Sequence, residues 1–189
     1  MIQTPIISKQ SLLDSFYANT DHQLRQNITS LIQQHLTTPD DQKPKHHYLQ
    51  AMQQADHLVQ TNPHNPYNHN TAAQIYFFSS VYFNNPEWTT AAQTHAINQL
   101  HLDYFRPYPY DLLAQIYLHQ GKLQSAKTQF ETALQLSPNY YDSLVHMGEV
   151  NKQLGNFNQA KNWYFQAVQV NPDGLAFIEE KVSEIIQLE

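Results

Sequence analysis

From Pro107 to Pro172 the chain repeats itself at a fixed spacing of 34 residues, and that period constrains its fold more than any other feature. Tyr110, Leu113, Ala114, Tyr117, Gly121, Ala126, Phe130, Ala133 and Pro138 are answered 34 positions later by Leu144, Met147, Gly148, Asn151, Gly155, Ala160, Tyr164, Ala167 and Pro172. Small residues recur where two helices have to approach closely, and large ones recur where the gap between them is filled. A proline closes each unit. A repeat of this length holds one helix pair, which cannot bury its apolar side alone and is stable only when neighbours stack on it.

An aromatic residue, then a Leu-Gly pair, Tyr, Ala, Phe, Ala and Pro at set offsets is a pattern that resembles the tetratricopeptide repeat. The resemblance implies an all-α fold, a right-handed superhelical solenoid of helix pairs. Three repeats are expected at 73–106, 107–140 and 141–174, the first of them diverged: Tyr76 and Ala92 hold their places, while Ser79 and Ser80 replace the Leu-Ala pair. Residues 1–38 read as an N-terminal helical extension, with apolar stripes at Leu12, Leu13, Phe16, Tyr17 and at Leu24, Ile28, Leu31, Ile32, Leu36. Residues 39–72 read as a loop (39–44), a degenerate repeat helix carrying Tyr48, Ala51, Met52, Ala55, Leu58 and Val59, and a connector from Asn62 to Asn70, whose composition disfavours helix. Residues 175–189 read as a capping helix: Ile178, Val182 and Ile185 form its apolar side, and Glu179, Glu180, Lys181 and Glu184 face away.

The function implied is that of a non-catalytic scaffold or adaptor holding a partner segment in a concave groove. In the family the groove is lined mainly by the first helix of each repeat. Carried over place by place, the contact residues are Gln74, Phe77, Val81, Asn84 and Asn85, then Tyr108, Asp111, Gln115, Leu118 and His119, then Asp142, Val145, Glu149, Lys152 and Gln153. Phe77, Val81, Leu118 and Val145 put apolar groups along one strip, which a purely solvated face would not gather. Some relatives grip the carboxylate terminus of chaperone peptides with a Lys/Asn/Arg clamp. The matching places here carry Asp111, Asp142 and Glu149, with Lys152 the one base, so the implied ligand is a protein or peptide segment of apolar or aromatic character, neutral or basic. The extension is expected to cover part of the groove or to mediate self-association. A second reading is a soluble accessory domain of a membrane or envelope assembly, such as the secretion, pilus or glycan-transfer machines that bacterial relatives of this repeat serve.

Composition narrows the field further. Four glycines and no Walker or dinucleotide pattern leave no phosphate-cradling loop. A net charge of −6 without a basic run argues against nucleic acid. Cysteine is absent, which removes disulfides, thiol catalysis and cysteine-ligated zinc. No stretch is apolar and long enough to span a bilayer, so no direct membrane insertion is expected. As written the chain is expected to be cytoplasmic, and periplasmic if it is an excised domain. No Gly-x-Ser-x-Gly and no isolated carboxylate pair occurs, so no enzyme, catalytic residue or cofactor is expected. Of the 11 histidines, His46 and His47 are adjacent, His64 and His69 five apart, His95 and His101 six apart. None has the i, i+3 or i, i+4 spacing of ligands on one helix face, so no metal site is expected.

Overall fold

The computed structural model describes residues 42–188, which form eight α-helices and no strand. The helical extension expected at residues 1–38 lies outside the described residues. The chain divides into two compact units, one ending at Tyr104 and the other beginning at Phe105.

In the first unit, α1 (Gln42–Thr61), α2 (Pro66–Phe83) and α3 (Pro86–Leu102) pack in sequence, α2 against both neighbours. Two stretches read from the sequence as non-helical are helix. α1 starts at Gln42, inside the expected 39–44 loop, with Pro44 in its first turn, where a missing N–H removes no helical bond. α2 starts at Pro66, so 66–70 of the expected connector is helical. The reason is local: Asn65 caps the helix by accepting a hydrogen bond from the Tyr67 N–H at 3.0 Å, and Pro66 follows at the first helical position. The Asn68 side chain donates back to the carbonyls of Leu58 (2.8 Å) and Asn62 (3.2 Å), closing the turn.

Alanines at 51, 55, 72, 73, 92 and 96 let these helices approach, and an aromatic cluster fills the rest. Tyr48 stacks on Phe78 and Tyr82, each at 5.9 Å, and meets Phe83 edge-on at 5.3 Å. Trp88 packs edge-on against Phe83 at 5.8 Å, a packing role at the start of α3 that fits its place after Pro86 and Glu87. Ser79 and Ser80 sit buried where the next repeat has Leu113 and Ala114, because each hydroxyl bonds a carbonyl of its own helix, Ile75 or Phe77, at 2.7 Å.

The second unit keeps the period to the residue. α4 (Pro107–His119) and α6 (Tyr141–Gln153) begin 34 residues apart, as do α5 (Leu123–Leu136) and α7 (Phe157–Val170), and α8 (Leu175–Ile186) begins one period after α6. Gly121 and Gly155 turn the chain between paired helices at φ of 72° and 76°, a left-handed conformation that a side chain resists. Two layers of core follow. Ala114, Leu118, Ala126, Phe130, Met147 and Val150 form one; Leu144, Ala160, Tyr164, Ala167, Ile178 and Ile185 form the other. Gly148 stands where the previous repeat has Ala114, and a Cβ there would collide with the Tyr164 ring. Glycine and the bulkier aromatic therefore form a matched pair, as alanine and Phe130 do.

Candidate functional site: the first-helix faces and the polar junctions beneath them

Asp111 of α4 has no exposed surface. Its carboxylate accepts hydrogen bonds from Ser143 Oγ on α6 and from Gln115 Nε2 one turn along α4, both at 2.7 Å. His146 Nδ1 stands 3.5 Å from the same carboxylate, with its ring stacked on Phe130 at 5.2 Å. Burial pushes the fully enclosed imidazole's pKa down, but Asp111, with Asp142 and Glu149 behind it, pushes it up further, and the net direction is upward. Aspartate, serine and histidine are assembled here, yet serine and histidine both face the carboxylate and both are buried. Nothing activates the hydroxyl, and no substrate atom could reach it. The cluster ties α4 to α6.

This corrects part of the expected groove. Leu118 is a member of the core layer with Phe130 and Met147, not a surface contact. Asp111 and Gln115 are internal for the reason just given, and Gln74, Phe77 and Tyr108 are buried as well. First-helix positions at the junction of two repeats become interior once the next first helix closes over them, which the position rule carried from sequence does not capture. His119, Asp142, Val145, Glu149 and Lys152 of the second unit keep partial exposure, and Gln153 is exposed. In the first unit Val81 and Asn85 are half-buried, and Asn84 is exposed.

Several of these polar groups are already engaged. Lys152 Nζ lies 2.8 Å from Glu149 and 2.7 Å from Glu184 of α8, and Lys181 reaches the other oxygen of Glu184 at 2.9 Å. Burial pulls the Lys152 pKa down, but Glu149 and Glu184 raise it by more, so the lysine stays charged. Tyr164 donates to Glu149 at 3.4 Å and Gln153 does so at 2.9 Å. Lys181 and Glu184, expected to face away from the solenoid, instead close this network, because α8 lies across α7 with their side chains turned back toward α6. His119 is held below its ordinary range by burial and is neutral near pH 7.

Asn84 also shapes the backbone. It ends α2 in the left-handed conformation (φ 52°), three positions before the place where the later repeats put glycine. The turn in the first repeat is thus displaced, and Asn85 then caps α3 by accepting from the N–H groups of Glu87 (3.0 Å) and Trp88 (3.2 Å).

A pairing that single-helix spacing could not reveal joins His69 of α2 to His95 of α3. Their Nδ1 atoms are 3.3 Å apart. Among the described residues no three His, Cys, Asp or Glu side chains are grouped to hold a metal ion.

Residues 112–176 match the family model described as tetratricopeptide repeat. The fold is similar to that of TTC0263, a thermophilic TPR protein of Thermus thermophilus, at a TM-score of 0.66 and 14% identity, covering 95% of this chain and all of that one (100%). It is similar to the crystal structure of MamA at a TM-score of 0.63 and 16% identity over 78% of this chain and 82% of that chain. The first TPR of Spaghetti (RPAP3), bound to the HSP90 peptide SRMEEVD, matches at a TM-score of 0.52 and 16% identity over 61% of this chain and 91% of that one. The tetratricopeptide repeat match thus lies in the second unit, and the all-α fold is similar to that of TPR proteins.

Proposed function

We propose that this chain is a non-catalytic scaffold that binds a segment of a partner protein on the face formed by α4 and α6. The observation that carries the reading is the strip left open there. Val145 offers apolar surface, Asp142 and Glu149 flank it, and the one lysine on the strip is already paired twice. A face of this kind favours neutral or basic segments with an apolar or aromatic anchor. An acidic chain terminus, like that of the peptide bound to the RPAP3 repeat, would meet Asp142 and Glu149 and would have to displace Glu184 from Lys152.

The test is selection of peptides on the immobilised full chain, followed by titration of a selected peptide and of SRMEEVD. Selected sequences should be neutral or basic with aromatic anchors, and Val145→Asp should weaken them roughly tenfold, about 1.4 kcal/mol. Binding of SRMEEVD as tight as that of the selected peptides, or indifference to Val145→Asp in a folded variant, would overturn the reading.

A further inference from the structure

His69 and His95 are oriented by their second ring nitrogens. His69 Nε2 lies 3.0 Å from the carbonyl oxygen of Pro63, which has only lone pairs to offer, so Nε2 carries the proton and Nδ1 is bare. His95 Nε2 faces Asp56 Oδ1 at 3.9 Å, beyond hydrogen-bond reach but close enough for the carboxylate's charge to favour a proton on that side of the ring. Asp56 is itself held, accepting a hydrogen bond from Tyr76 at 2.8 Å, while the Tyr76 ring stacks on His95 at 5.7 Å. The two Nδ1 atoms face each other across 3.3 Å, close enough to share one proton or, with both lone pairs bare, to hold a cation between them.

We propose that His69 and His95 bind a divalent transition-metal cation, Zn²⁺ or its neighbours Ni²⁺ and Cu²⁺, through their two Nδ1 atoms. The spacing is right: two nitrogens each about 2.0–2.1 Å from a tetrahedral ion stand roughly 3.3–3.4 Å apart. The outer contacts are right as well. A carbonyl behind one ring and a carboxylate behind the other are the partners that orient metal-ligating imidazoles. Imidazole donors suit these cations rather than magnesium or calcium. The His95 side chain is 17% exposed, so water or a donor from a partner can complete the coordination that two protein ligands leave open.

The test uses the full chain, stripped with EDTA and titrated with Zn²⁺ alone near neutral pH. Histidine side-chain ¹⁵N NMR on the unmutated protein should show the first equivalent shifting Nδ1 of both His69 and His95 while their Nε2 atoms stay protonated. His95→Gln should remove that equivalent in calorimetry, Asp56→Asn should weaken it roughly tenfold, and His101→Ala, exposed on the same helix, should leave it intact. Zinc that leaves both Nδ1 signals unmoved, or that binds folded His95→Gln as well as the unmutated chain, would overturn the site and leave the pair sharing a proton only. The NMR result decides even if a variant fails to fold.

Discussion

Asp111 and His146 show how one buried position can change a chain's response to pH. The folded pKa of His146 is raised, so the protonated ring stabilises the fold fully below its ordinary value of about 6.5. That contribution is lost as pH rises through the higher folded value. The melting temperature of the unmutated chain minus that of His146→Gln should therefore be larger near pH 6 than near pH 9; a gap that widens with pH would reverse the sign. At Gly148 the issue is space. Gly148→Ala should cost roughly 1–3 kcal/mol by overpacking, measured by chemical denaturation. Tyr164→Phe should not rescue it, because the colliding atoms are ring carbons. The alternation of small and large residues was legible in the sequence, since Ala114 with Phe130 and Gly148 with Tyr164 recur at one period. The burial of Asp111 was not. Its partners Ser143 and His146 are 32 and 35 positions away and meet it only after α4 and α6 are set side by side.

At the level of elements, the helix boundaries of the second unit follow the period because the same turn is built twice, each time around a left-handed glycine. In the first unit the period was legible but the turn was not. Asn84 and Asn85 supply the left-handed residue and the cap three positions early, and nothing in the spacing of apolar residues marks that shift. Residues 66–70 depart from the expected connector for a related reason: Asn and Pro in a row suggest a break, whereas Asn65-Pro66 is a helix start. The closing helix α8 combines apolar burial with an ion network, and the two should contribute unequally. Ile185→Ala removes a fully buried side chain and should cost roughly 2–5 kcal/mol. Lys152→Ala breaks contacts to Glu184, a side chain 39% exposed, and should cost about 1 kcal/mol or less. Thermal melts of both variants check the order; the reverse order would make the ion network, rather than Ile178 and Ile185, the main fastening of α8.

For the molecule as a whole, the repeat pattern specified the all-α repeat fold because tandem helix pairs have few other ways to cover their apolar sides. It specified the binding face less well. Positions taken over by resemblance divide into those that the neighbouring repeat covers, such as Leu118 and Gln115, and those that keep surface, such as Val145 and Asp142. Only packing separates the two sets. The first-helix face of the second unit is the proposed contact surface, and site-specific photocrosslinking tests that most directly. Benzoylphenylalanine would replace Val145 on α6 or, in a second variant, Phe165 on α7, which is 63% exposed on the other helix of the same repeat. A peptide selected on the unmutated chain should crosslink from position 145 and not from position 165. Crosslinking from 165 alone, with both variants folded, would place the partner on the second-helix face and contradict the account.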